Sequence, residues 1–286
     1  MLSEYVIWYL FVAGTGAGAL AIAVVLDLAQ ASRHRLGAVP FESKVGLVSA
    51  AALLSLSALL LFLDLGNPGA IAFLFANPFR SVLAAGAWLI VLGIAASAAL
   101  AWMALTCTGT RWLLSALEAV ALVDAVAVMG YTGVFLSTMP AVDFWFTPWL
   151  VALFVASALG CGAAWITLAS FMLKGGGGRI APWAAAALSA LEAALLAAFL
   201  CSRWLFTPVA RQSCALLLSG DLSGVFWTGL VGVGLAVPLA CFLLGRFVRL
   251  PGLRMAACAG TLAGGACLRY CVVLAAVYTP IMFPAW

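Results

Sequence analysis

Residues 62–81 read FLDLGNPGAIAFLFANPFRS and separate two long apolar runs. An aspartate, two Asn-Pro pairs and an arginine interrupt the apolar sequence here, in a chain with only nine acidic residues. Pro68 cannot continue a helix, and Gly66 can adopt the left-handed conformation that ends one. The stretch therefore predicts an abrupt helix end that holds Asp64 in a fixed direction, and Ser81 is a favourable N-cap for the next helix.

The composition assigns these runs to an integral membrane protein. Of the 286 residues, 67% are hydrophobic and 8% are charged, and the mean hydropathy is +1.23. These values exclude a water-soluble globular protein. The polar connections are too short for a separate soluble domain, so residues 1–286 are predicted to form a single membrane domain. The net charge of +4 is scattered over short loops, which does not favour nucleic-acid binding.

Apolar runs bounded by charge, glycine or proline predict an all-α protein with eight transmembrane helices, which favours two four-helix bundles. The first run follows Glu4 rather than a basic segment, so we interpret it as a retained helix and not a signal peptide. The predicted spans are about 6–28, 43–63, 81–105, 112–135, 147–173, 182–202, 222–244 and 254–278.

The basic residues predict the orientation in the cytoplasmic (inner) membrane. With eight spans both termini lie on one side, and three basic residues share that side: Arg80, Arg203 and Arg211. The opposite side carries nine: Arg33, Arg35, Lys44, Arg111, Lys174, Arg179, Arg246, Arg249 and Arg254. The positive-inside rule therefore places both termini outside, together with Asp64 and the two longest connections, about 64–80 and 203–221.

Several ionisable residues fall inside the predicted spans, where an exposed charge costs about 2.5 to 3.5 kcal/mol at the bilayer centre. They are Asp27, Glu118, Asp124, Glu192 and Arg269. Each is therefore predicted to face the bundle interior or water. Asp124, Glu192 and Arg269 are predicted to form one buried polar group, which is either a proton path or, alternatively, a set of structural ion pairs, and the sequence does not pair them.

Tyr131 lies seven residues after Asp124, on nearly the same helix face and close to the outer end of its span. A tyrosine at this depth is often part of an interfacial aromatic belt. A phenol and a carboxylate near the interface also suit a quinone, which needs hydrogen-bond donors for its carbonyls and a proton acceptor for its hydroxyls. Tyr131 and Asp64, which lie at the same end of the bundle, are therefore candidates for a quinone site.

The cysteines and the histidine do not predict a metal site or haem. The eight cysteines form no C-x-x-C pair, and Cys267 and Cys271 have no nearby histidine to complete a coordination shell. The single histidine, His34, lies in a basic loop, where it cannot ligate a haem within the bundle. We expect neither haem nor metal in this chain.

The glycine-rich run GTGAGAL, residues 14–20, lies inside the first span and has no strand before it. This context does not favour a nucleotide-binding loop. Gly14 and Gly18 are four residues apart and leave one helix face bare, which predicts close packing against a neighbouring helix.

At these residues the chain resembles the NrfD/PsrC family, the polysulfide-reductase-type membrane subunits of quinone-linked oxidoreductases. The resemblance extends from the first span to the eighth, and LDLG-x-P is its most specific element. It rests on four stretches: LDLGNP after the second span, NP-x-x-S at residues 77–81, IWYLFVAGTGAG at residues 7–18, and GGACLRY at residues 264–270.

This resemblance implies that the chain is a membrane anchor that exchanges electrons between the quinone pool and a partner subunit. The expected cofactor is an exchangeable quinone or menaquinone. The expected partners are an iron-sulfur (ferredoxin-like) subunit on the outer face, a molybdopterin catalytic subunit beyond it, and membrane lipid. Asp64 and Tyr131 are the implied catalytic residues at the quinone, with Asn67 and Thr15 as further quinone-binding candidates.

Two other functions remain open from the sequence. The chain could be a proton or solute transporter that uses Asp124, Glu192 and Arg269 without redox chemistry. It could also be a purely structural membrane anchor. An iron-sulfur protein that co-purifies would favour the redox function over transport, and bound quinone would distinguish it from a structural anchor.

Overall fold

The computed structural model describes residues 4–31, 39–65, 81–108, 110–174, 180, 182–244 and 251–277. The all-α fold and the eight predicted spans are confirmed, each within about four residues of the predicted bounds. The protein is therefore a multi-pass integral membrane protein. In order, the elements are α1 (Glu4–Ala31), α2 (Phe41–Leu65), α3 (Val82–Thr106), α4 (Arg111–Ser137), α5 (Pro148–Lys174), α6 (Pro182–Trp204), α7 (Pro208–Leu218), a π-helix (Val225–Ala236), α8 (Val237–Leu244) and α9 (Pro251–Leu274).

Successive spans run in opposite directions, so their ends form two surfaces. We call them the tyrosine end, after Tyr9 and Tyr131, and the basic end, where α2 and α9 begin. At the tyrosine end the Trp145 indole N–H donates to the Val272 carbonyl at 2.8 Å. The sequence predicts that the tyrosine end is the outer one, and this orientation stays a prediction.

The first four spans contact one another, as do the last four, and α1 and α5 form the interface between these halves. A Cβ atom added to Gly18 on α1 would lie 2.0 Å from the Ala158 carbonyl oxygen on α5. A Cβ atom at Gly162 would lie 2.3 Å from the backbone nitrogen of Ala19. The two backbones are thus in direct contact, and the predicted packing role of the first-span glycines is confirmed.

The seventh span, Val225–Leu244, begins as a π-helix, in which Val237 N–H donates to the Gly232 carbonyl five residues earlier. Gly229 and Gly234 are also five residues apart, and both face α9. A Cβ atom at Gly234 would lie 2.4 Å from the Gly264 Cα atom. Residues five apart do not share a face of an α-helix. The wider π turn therefore brings both glycines against α9.

The connection before α3 is capped as predicted. The Ser81 hydroxyl accepts a hydrogen bond from the Ala84 backbone N–H at 3.1 Å. The predicted Gly66–Pro68 helix exit and the apolar segment 71–76 lie outside the described residues, and so does Asn67.

The connection after α6 contains a helix that the sequence analysis did not predict. Thr207 caps α7 by accepting from Ala210 N–H at 3.1 Å, and Pro208 occupies its first position. The Thr207 hydroxyl also donates to Asp143 Oδ2 at 3.0 Å. Arg203 Nη1 donates to the Phe146 carbonyl at 2.8 Å. These bonds attach the end of α6 and the start of α7 to the loop between α4 and α5.

Because α1 and α5 are in direct contact at Gly18 but Gly130 has open space beside it, replacing each glycine with alanine should have opposite effects on stability. Alanine is a better helix former than glycine by about 1 kcal/mol in a helix interior. Gly130→Ala should therefore preserve or raise the thermal unfolding temperature of the purified protein, because no atom lies within 4 Å of its added Cβ. Gly18→Ala should instead destabilise the protein by about 1 to 3 kcal/mol, since a backbone must move. Equal unfolding temperatures for the two variants would contradict the direct backbone contact.

Candidate functional site

Two tyrosines from different helices meet inside the first half of the bundle. Tyr9 on α1 and Tyr131 on α4 are 1% and 6% exposed, and their phenol groups interact. Their geometry falls short of a hydrogen bond, and neither hydroxyl has another partner among the described residues. Buried polar atoms are usually satisfied, so a pair of unsatisfied hydroxyls at one place indicates that something else completes the site.

Glycines on α3 make room for the polar side chains of α4. A Cβ atom at Gly86 would lie 1.9 Å from the Tyr131 Cζ atom and 2.3 Å from its hydroxyl oxygen. A Cβ atom at Gly93 would lie 2.7 Å from Asp124 Oδ2. The two glycines are seven residues apart, as are Asp124 and Tyr131, so each set shares one helix face. Any side chain at residue 86 or 93 would displace a polar group of α4.

Asp124 lies deeper in the first half than the tyrosine pair. It is 3% exposed, and neither carboxyl oxygen has a hydrogen-bond partner among the described residues. Seven residues of helix place it about 10 Å along α4 from Tyr131. A carboxyl group this deep and without a partner is costly unless it holds a proton or contacts water.

Arg269 on α9 is fully buried in the second half. Its Nη1 atom donates to the Ser157 hydroxyl at 2.9 Å and to the Gly265 carbonyl at 2.8 Å. Its guanidinium carbon lies 5.8 Å from the ring centroid of Phe11 and 5.3 Å from that of Phe154. The Nε and Nη2 atoms have no partner among the described residues. Aromatic faces and two hydrogen bonds thus surround a guanidinium group that has no exposed surface.

Glu192 on α6 is 5% exposed and interacts with Ser157 and with the charge of Arg269. We call these three residues the arginine cluster. Of the three residues proposed as a proton path, the structure thus brings together Glu192 and Arg269. Asp124 lies apart from them, against Gly93 on α3. The prediction that all three residues form one polar group is therefore wrong, because neither carboxyl oxygen of Asp124 has a partner among the described residues.

Thr15 was a quinone-binding candidate, and the structure places it on the side of the arginine cluster. It is buried, and its hydroxyl donates to the Phe11 carbonyl at 2.8 Å. It also approaches the thiol of Cys161, which interacts with Arg269 and Glu192. Asp64, another residue predicted to bind quinone, is half-buried in the last turn of α2, at the tyrosine end.

Two further acidic residues lie together in the first half, toward the basic end. Glu118 on α4 is buried, and its carboxyl group interacts with that of Asp27 on α1. Both line a narrow gap, too small to hold a water, together with Ser43. Glu118 faces the interior, as the sequence predicted, while Asp27 is half-buried.

The sequence analysis missed Tyr9 as a site residue, although Tyr9 lies in a stretch that carried the family resemblance. A tyrosine in the second turn of an apolar helix also fits the interfacial belt, so its position alone did not distinguish the two roles. The glycines at 86 and 93 were missed as well. The sequence did contain a signal for them, because Gly86 and Gly93 are seven residues apart, as are Asp124 and Tyr131.

The family model of polysulphide reductase NrfD matches residues 3–281, nearly the whole chain. No protein with a curated description matches the chain.

The arginine cluster predicts a strong coupling between two substitutions. Arg269→Met should destabilise the protein by about 3 to 5 kcal/mol, because it leaves the Glu192 carboxyl group buried without a cation. Glu192→Gln should cost less, and the double variant should recover part of the loss caused by Arg269→Met. Thermal unfolding of the purified variants measures this coupling. Strictly additive losses would show that Glu192 and Arg269 do not stabilise each other.

Proposed function

The chain belongs to the polysulphide reductase NrfD family, and on this premise we propose that it exchanges electrons and protons between membrane quinone and an iron-sulfur partner subunit. This family suggests a membrane subunit of quinone-linked oxidoreductases. The observation that carries the proposal is the pair of buried, unsatisfied hydroxyls of Tyr9 and Tyr131.

The tyrosine pair fits the head group of a quinone or menaquinone. Quinone carbonyls accept hydrogen bonds, and two phenols supply donors without bringing charge into the bilayer. When bound, a quinone supplies the redox chemistry, and the protein supplies binding and orientation. Tyr9 and Tyr131 would hold the carbonyl oxygens, and Gly86 leaves Tyr131 the space to reach them.

Carboxyl groups of the first half would accept and release the protons. Asp64 is half-buried at the tyrosine end, where it can accept a proton from the site and pass it to water. Asp124 lies about 10 Å deeper on the helix face of Tyr131 and can hold a proton without a charge partner. Asn67 remains a candidate for orienting the head group. We do not assign Thr15 to this site because it lies with the arginine cluster.

The iron-sulfur partner would dock at the tyrosine end, because electrons must leave close to the site where quinone is bound. Hydrogen bonds from Thr207, the N-cap of α7, and from Arg203, in the last turn of α6, connect this part of the surface to the loop between α4 and α5. Arg211 and Gln212 are exposed on α7 and can contact a partner. A molybdopterin catalytic subunit would then lie beyond the iron-sulfur subunit.

The alternative functions explain fewer of these features. A transporter based on Asp124, Glu192 and Arg269 requires one connected route, but the structure separates Asp124 from the arginine cluster. A purely structural anchor gives no reason for two unsatisfied phenols in contact at one end of the bundle. The arginine cluster remains a candidate proton-handling group of the second half.

Removing either phenol should weaken quinone binding. Loss of one neutral hydrogen bond costs about 0.5 to 1.5 kcal/mol, so Tyr9→Phe and Tyr131→Phe should each raise the quinol concentration for half-maximal rate about two- to tenfold. The measurement is quinol-dependent reduction of the iron-sulfur partner in membranes with matched amounts of assembled complex. Tyr5→Phe is the control, because Tyr5 lies on the same helix and is half exposed. Wild-type quinol dependence in both buried variants would exclude this site.

Asp64→Asn should slow turnover more than it weakens binding, because an amide cannot take a proton. We expect a loss of about 10²-fold or more in the maximal rate, the usual contribution of general acid-base catalysis. Asp221→Asn, a change of an exposed acid at the same end of the bundle, should retain the wild-type rate. Equal maximal rates for the two variants would remove Asp64 from the mechanism.

A further inference from the structure

A narrow cleft opens at the basic end of the second half, between α5, α6, α8 and α9, and its enclosed part has room for about one water. Its mouth lies at Ile180 and Arg254, where the Arg254 guanidinium donates to the Ile180 carbonyl. Its walls combine small residues with the larger apolar side chains of Leu188 and Phe242, and they carry three hydroxyl groups, from Thr167, Ser189 and Thr261. The cleft is thus narrow, and polar groups lie along its length.

The cleft extends from the surface to the middle of the bundle. Gly160, which lines it, is 14 residues from the end of α5 at Lys174, a distance of about 21 Å along the helix axis. A Cβ atom added to Gly160 would lie 3.8 Å from the Oε2 atom of Glu192. Ser189 on the cleft wall lies one helical turn before Glu192. The carboxyl group of the arginine cluster therefore lies just beyond the residues that line the deep end of the cleft.

We propose that this cleft is a water-filled vestibule that connects Glu192 with the aqueous phase at the basic end of the bundle. A buried water needs several polar partners, and the hydroxyls of Thr167, Ser189 and Thr261 supply acceptors at intervals along the walls. The charged groups that face the path are Arg254 at its mouth and Glu192 at its end. Intramembrane acids usually face a bundle interior or a water-filled cavity, and Glu192 has access to both.

The vestibule gives Glu192 a proton exchange route that is separate from the quinone site. Water or hydronium reaches it from the basic end, whereas Tyr9, Tyr131 and Asp64 lie at the opposite end. This inference does not depend on quinone chemistry, because it concerns only which side of the membrane hydrates the arginine cluster. A lipid tail in the cleft is the competing occupant, and it would leave the walls dry.

Two natural cysteines on α9 form a matched pair for testing access. Cys258 lines the cleft, whereas Cys271 lies toward the tyrosine end, and both are buried. Silver ions, which are small and react with thiols, are added to one side of sealed membrane vesicles of known orientation in chloride-free buffer. The protein is then unfolded, remaining thiols are alkylated, and each cysteine is quantified by peptide mass spectrometry. Exposed Cys107 reports on the basic side, and a Gln212→Cys variant reports on the tyrosine side.

Silver from the basic side should react with Cys258 at least about tenfold faster than with Cys271. A Ser189→Cys variant should react similarly to Cys258. Ala185→Trp, which places a bulky ring between the mouth and Ser189, should slow both reactions at least about tenfold and leave Cys107 unaffected. Ala185 is half-buried, so the ring can enter the cleft without displacing a closely packed core residue.

Two results would overturn the vestibule. Reaction of Cys258 and of the Ser189→Cys thiol at the rate of Cys271 would show that the cleft is dry or filled by lipid. Faster reaction from the tyrosine side than from the basic side would show that Glu192 is hydrated from the opposite surface. Neither result would affect the quinone site, because the measurement has no redox step.

Discussion

The direct backbone contact between α1 and α5 is the constraint on which the remaining structure depends. Glycine at positions 18 and 162 lets the two helices touch, so α1 belongs to both halves of the bundle. One side of α1 presents Tyr9 to Tyr131 in the first half. Another presents Gly14 to Arg269, whose Nη2 atom would lie 3.0 Å from an added Cβ. A shift of α1 would therefore disturb both polar centres together.

The apolar environment separates the polar chemistry into two centres. Each ionisable group in a span must be covered by protein or reached by water, because lipid cannot solvate it. In the first half, small residues of α3 leave space for the phenol and the carboxyl group of α4. In the second half, aromatic rings and a serine surround a guanidinium group, and a cleft approaches its acidic neighbour. Quinone chemistry is what we propose for the first centre, and proton exchange is what we propose for the second.

The sequence predicted the features that depend on one segment at a time. Hydropathy predicted all eight spans, and Ser81 predicted the start of α3. The spacing of Gly14 and Gly18 predicted a helix face that packs closely against a neighbour. Features that depend on how helices pair were not predicted. Tyr9 gains its significance only when α1 lies beside α4, and Asp124 separates from Glu192 only because they occupy different halves. An apolar helix in a membrane is hydrophobic on every side, so periodicity does not reveal its neighbours.

The π-helix of the seventh span affects how this chain should be aligned with related ones. Its glycines at 229 and 234 occupy successive turns facing α9, and five residues separate them. A chain with an ordinary α-helix at this place would reach the same two contacts with a four-residue spacing. The correct correspondence between the two then contains a one-residue insertion within a transmembrane segment. Such a gap would normally be rejected as an alignment error, but at this position it would result from a change in helix type.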